Sequence, residues 1–96
     1  MLLVLTYDVD TTTPAGAKRL RQVAKLCEQY GIRVQNSVFE INVDAAQLIQ
    51  LKTGILKCID DKRDSVRLYR LGSAYRNKIE TMGKKPLIES GGDLIL

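Results

Sequence analysis

Residues 2 to 7, LLVLTY, run apolar without the polar alternation of a half-exposed strand, and Asp8, Asp10 and a helix start follow at once. A run of this kind suits a central strand covered on at least one face. The chain must therefore build a sheet around its own first segment. Thr13 offers a hydroxyl cap and Pro14 suits the first helical position. Ala17, Leu20, Val23, Ala24, Cys27 and Tyr30 then recur at helical spacing as far as Gly31. The pattern predicts a helix of about 17 residues packed on the strand, with Gly31 as a left-handed stop.

Ile32 to Val43 reads as a strand pair, IRV and VFEINV, joined by a tight polar turn near Gln35 to Ser37, with Phe39, Ile41 and Val43 on one face. Asp44 with Gln47 three residues later forms a capping-box signature. Ala45, Leu48, Ile49, Ile55, Leu56 and Ile59 carry an amphipathic pattern from there to Asp60. Asp60 to Asp64 is a charged turn, and SVRLYRL alternates Val66, Leu68 and Arg70 against Arg67, Tyr69 and Leu71. The order is β-α-β-β-α-β, which predicts an α+β, ferredoxin-like sheet with both helices on one side. The 96 residues make one domain. A chain this short hides only about 60 to 65% of its unfolded surface, so self-association would supply what the core lacks. Residues 72–96 contain the short extendable segments Pro86 to Glu89 and Leu94 to Leu96. Such segments usually join a sheet edge, their own or a partner's, so this tail is expected to add a strand and help build a homodimer.

No apolar run approaches the roughly 18 residues of a membrane span, and the first apolar segment lacks the basic leader of a signal peptide. A cytoplasmic location is expected. The chain has no histidine, which removes the commonest general base and excludes Ser-His-Asp and Cys-His mechanisms. Hydrolysis, if any, falls to carboxylates and a metal. Cys27 and Cys58 compose no zinc site and read as small buried apolar residues of a reducing compartment. The net charge is +4 with a pI near 9.2, unevenly spread. Arg67, Arg70, Arg76, Lys78, Lys84 and Lys85 face the single acid Glu80, and Lys18, Arg19, Arg21 and Lys25 share the first helix. Two local basic clusters favour a polyanion partner, although a solvated surface explains them equally well.

In an extended segment Leu2, Val4, Thr6 and Asp8 share one face, and Asp8 falls where the first strand leaves the sheet. Mg²⁺ commonly takes only one or two carboxylates from protein, and a twofold axis would let Asp8 and its symmetry mate hold one ion. The competing reading makes both acids turn residues that accept backbone N–H bonds ahead of the helix. Asp10 is assigned that turn role. From composition alone, Arg19 and Arg21 also read as solvated helix positions, Arg33 as an edge charge that discourages aggregation, and Phe39 as core.

The ordered set VLTYDVD, RVQNSVFEINV and VRLYRLG resembles the family of the second universal CRISPR-associated protein, the small dimeric partner of the integrase in spacer acquisition. Tyr7-Asp8 together with Gln35, Ser37, Val38, Phe39 and Glu40 carries the likeness, which extends over essentially the whole chain; the tail resembles the version found in type I-C systems. The resemblance implies a ferredoxin-like homodimer in which the two Asp8 residues bind a divalent ion, Mg²⁺ or Mn²⁺, and act as the catalytic groups of a metal-dependent endonuclease. It further implies that Arg19, Arg21, Arg33 and Phe39 correspond to residues tied to nuclease activity or nucleic-acid contact. Duplex DNA is the expected substrate ahead of RNA. The alternatives are a non-catalytic DNA-binding scaffold that bridges integrase dimers, and a toxin-like endoribonuclease. Asp10 departs from a commonly neutral family position, which leaves a second metal ligand there unsupported.

Overall fold

The computed structural model describes residues 1–83. The apolar run becomes strand β1 (Leu2–Asp8), followed by helix α1 (Pro14–Glu28), the pair β2 (Gly31–Gln35) and β3 (Val38–Asn42), helix α2 (Ala45–Cys58), strand β4 (Ser65–Gly72) and a single 3-10 turn, Arg76–Lys78. The strands form one antiparallel sheet in the order β2-β3-β1-β4. The sequence neighbours β1 and β2 are thus separated by β3, the arrangement of a ferredoxin-like α+β fold. As its lack of alternation requires, β1 is internal, with β3 on one side and β4 on the other.

The register decides which side chains meet. Leu5 stands opposite both Phe39 and Leu68, and Leu3 opposite Ile41. These side chains join Tyr7 and Val9 in a core completed by Val23, Ala24 and Cys27 of α1 and Leu48, Leu51 and Ile55 of α2. Both helices therefore cover the same face of the sheet. Phe39, Leu3, Leu5 and Ile41 are fully enclosed, each burial contributing roughly 1.5 to 3 kcal/mol. The opposite face carries Val4, Thr6 and Asp8 from β1, with Arg67 beside Thr6 and the half-exposed Tyr69 beside Val4. Neither helix covers it.

Local signals start both helices. The Thr13 hydroxyl accepts the Gly16 N–H at 3.2 Å, and Pro14 opens α1. At α2 the capping box is complete, with Asp44 Oδ1 accepting from Gln47 N at 2.8 Å and Gln47 Oε1 accepting from Asp44 N at 3.0 Å.

Two expectations need correction. α1 has 15 residues and ends at Glu28, where tightened bonds from Gln29 N to Leu26 O and from Tyr30 N to Cys27 O close the last turn. Gly31 is not left-handed but opens β2. A glycine is needed there because a β-carbon would overlap the Glu40 carbonyl oxygen of the neighbouring strand. On α2, Ile49 and Leu56 point outward, 66% and 70% exposed, while Leu51 takes the inward position. Among the described residues no helix is long and apolar enough to cross a membrane. The expected extra strand and most of the dimerising tail fall beyond residue 83, outside the described residues.

Candidate nucleic-acid interface

Asp8 is the last residue of β1, paired with Ser65 on β4, and its side chain is exposed on the face away from the helices. The position follows from the period of the strand: with Leu3, Leu5 and Tyr7 inside, Leu2, Val4, Thr6 and Asp8 must share the other face. Among the described residues no group of three His, Cys, Asp or Glu side chains is placed to hold a metal. The neighbouring acids are engaged elsewhere. Asp10 Oδ1 accepts the Thr12 N–H at 2.9 Å and the Thr12 hydroxyl at 2.6 Å, the local turn expected of it. Those bonds, with help from Arg63 at 3.8 Å, hold its carboxyl below the usual range.

The least accessible polar group at this end of the sheet is Asp64, whose side chain is entirely shielded from solvent. Its Oδ1 accepts from Asp10 N at 3.0 Å and from Arg19 Nη2 at 3.3 Å. Its Oδ2 accepts from Arg19 Nε at 2.8 Å and from Asp60 N at 2.8 Å. The Arg19 hydrogen bond, aided by the two backbone donors, outweighs burial and brings the carboxyl down to about 2. Arg19 Nη2 also reaches the Asp10 carbonyl oxygen at 3.5 Å. That same oxygen lies so close to Gly16 that a β-carbon there would overlap it. The segment leaving Asp8 is thus seated against α1 from two directions.

Two residues further along α1 the surroundings change. Arg21 is exposed and lines a shallow groove of about 470 Å³ with Lys18, Gln22, Ala24, Lys25 and Glu28 of the same helix and Arg33 of β2. Among the described residues four cations here meet one acid. Arg33 approaches Glu28 at 3.4 Å, but both side chains are about half exposed, so the pair contributes little. The Arg33 guanidinium also lies 5.3 Å from the centre of the Phe39 ring, which stacks on Tyr7 with ring centres 6.1 Å apart. The Tyr7 hydroxyl donates to the Asn36 carbonyl at 3.2 Å and so ties β1 to the β2–β3 turn. Burial raises its pKa.

The residues singled out in the sequence therefore fall into different places. Arg21 and Arg33 share the groove. Phe39 is fully enclosed, with the Arg33 guanidinium over its ring. Arg19 is bound to Asp64, and among the described residues Asp8 stands alone on the opposite face of the sheet. Sequence reasoning missed Asp64. Its one signal is position: it immediately precedes the strand whose first residue pairs with Asp8. In the run DDKRD nothing local distinguishes it from Asp60 or Asp61.

Comparison with known proteins adds a consistent picture. The family model described as CRISPR associated protein Cas2 matches residues 1–79. A protein of Halalkalibacterium halodurans named CRISPR-associated endonuclease Cas2 is 53% identical over 95 residues, 99% of each chain. One of Chlorobaculum tepidum named CRISPR-associated endoribonuclease Cas2 is 51% identical over the full length of both. The crystal structure of Streptococcus pyogenes Cas2 at pH 6.5 superposes with a TM-score of 0.77 at 53% identity, covering 86% of this chain and 100% of that one.

Proposed function

The chain belongs to the Cas2 family of CRISPR-associated proteins, whose place is in CRISPR adaptation, and on that footing we propose that it serves there as a dimeric, duplex-DNA-binding subunit that bridges integrase dimers. The observation that supports this best is the groove of Lys18, Arg21, Lys25 and Arg33, where among the described residues a single acid faces four cations. Such a surface engages phosphates by charge and reads no base edges. Affinity for a 30-bp duplex should then be independent of sequence and fall steeply with salt. An Arg21→Gln, Lys25→Gln protein should bind with a slope of log affinity against log salt shallower by about 1.8, at about 0.9 for each phosphate it no longer neutralises. An unchanged slope would remove the groove from the interface.

A second reading, favoured by the exposure of Asp8 on the uncovered sheet face, is a metal-dependent endonuclease. The described residues of one chain do not fit the metal: among them Asp8 stands alone, since Asp10 and Asp64 are held by other partners. Two copies packed through this face would bring two Asp8 carboxylates together, a set Mg²⁺ or Mn²⁺ accepts when water completes it. The ion would there polarise a phosphodiester. The relatives are named one for an endonuclease and one for an endoribonuclease. Metal-dependent cleavage is therefore to be measured on plasmid, linear duplex and matched RNA, with Asp8→Ala at equal dimer content as control. Activity lost only in the variant would support chemistry at Asp8. Equal activity in both proteins would leave the bridging role alone, and strong preference for RNA would displace the DNA reading.

A further inference from the structure

We propose that Arg19 and Asp64 form one positioning unit, which seats the segment leaving Asp8 against α1, and that Arg19 makes no phosphate contact. Four donors converge on the Asp64 carboxylate. Two come from Arg19 and two are the backbone N–H groups of Asp10 and Asp60. The carboxylate thereby joins three separate pieces of chain: the β1–α1 connection, the first turns of α1 and the α2–β4 connection. Because β1 ends at Asp8, two residues before the anchored Asp10 amide, the unit fixes where that side chain leaves the sheet.

Arg19 engages through Nε and Nη2, the edge of the guanidinium that grips a carboxylate with two parallel bonds. Its side chain is 17% exposed, whereas that of Asp64 has no exposure. Turning Arg19 outward to a phosphate would strand a buried carboxylate with only two backbone donors. Breaking a buried pair costs far more than an exposed ionic contact returns. The geometry thus separates Arg19 from Arg21, which has no such partner among the described residues and faces the groove.

The inference rests on the DNA-binding reading only for its affinity measurement, and the test carries a second readout that does not. The full chain would be compared with Arg19→Lys, Arg19→Gln, Asp64→Asn and the Arg19→Gln, Asp64→Asn double variant, with Arg21→Gln as comparator. Amide hydrogen exchange at Asp10 and Asp60, melting temperature at one protein concentration, and the salt slope for a 30-bp duplex would be measured. Lysine keeps the charge but not the two-pronged grip. Arg19→Lys should therefore resemble Arg19→Gln, with faster exchange at Asp10, melting lower by roughly 10 °C and a salt slope within error of the parent. Asp64→Asn should do the same, and the double variant should be no worse than the poorer single one. Arg21→Gln should leave exchange unchanged and reduce the slope by about 0.9.

The proposal is overturned if Arg19→Lys matches the parent while Arg19→Gln loses about 0.9 of slope with Asp10 exchange unchanged. It is equally overturned if Asp64→Asn tightens DNA binding without faster exchange, the mark of an arginine freed to meet phosphate. Should the parent bind no duplex, the DNA reading fails, and the exchange and melting comparisons still decide the positioning role.

Discussion

The end of the sheet around Asp64 and the outer flank of α1 carry similar side chains in opposite conditions. Around Asp64 an arginine and a carboxylate are enclosed, and every oxygen of the acid has its donors. Along the flank, Lys18, Arg21 and Lys25 face an open groove with Glu28 as the one acid among the described residues. Enclosure ties the first pair into the structure and withdraws it from a ligand. Exposure leaves the second set inexpensive to alter and free to meet phosphate. Residue type and helix are the same for Arg19 and Arg21; burial of the partner separates their roles.

The largest expected effect tests whether the two regions are independent. Phe39 is fully enclosed, yet the groove's Arg33 rests over its ring. Phe39→Ala should destabilise the protein by about 3 to 5 kcal/mol in urea unfolding at fixed protein concentration. Weakened DNA binding would follow from the damaged core, and Phe39→Leu should recover most of both. Full stability in Phe39→Ala with affinity alone reduced would detach the groove from the core.

Acid should lower stability through the Asp64 region. The Asp64 carboxyl lies at about 2 in the fold, against roughly 3.9 in an unfolded chain. A carboxyl depressed by folding contributes stability that is fully present above about pH 4 and is lost as pH falls toward 2. Asp10, also held low, acts in the same direction. The lysines and arginines of the groove keep their charge throughout. Melting temperature followed from pH 6 to pH 2.5 should fall more steeply for the parent than for Asp64→Asn, which starts lower. Parallel curves would mean that the carboxylate contributes nothing.

The smallest effect belongs to the groove. Glu28→Gln removes its one acid and should tighten duplex binding roughly two- to fivefold at moderate salt while leaving stability nearly unchanged. Weaker binding instead would make Glu28 a support that holds Arg33 in place.

What could be read beforehand follows the distance over which each signal acts. Thr13 with Pro14, and Asp44 with Gln47, start helices through bonds spanning three residues, so the sequence displays them directly. The apolar run of β1 announced an internal strand, and the element order then implied the sheet. Outward-facing Ile49 and Leu56 misled because periodicity alone does not say which of two apolar rows meets the sheet. Gly31 misled because its neighbour is Glu40 across a strand pair, not the preceding helix. Asp64 was the hardest to see, since its partners Arg19 and Asp10 lie 45 and 54 residues away.

The order of the strands also sets a timetable. β1, one of the two internal strands, is made before the other three, and both of its neighbours come later: β3 reaches it at Val38, β4 only from Ser65 onward. At about 5 to 20 residues per second, roughly 3 to 12 seconds of synthesis separate LLVLTY from the strand that covers its second edge. The segment that most needs shelter is thus the one the chain leaves longest without it, and completing β4 is the event that ends the exposure.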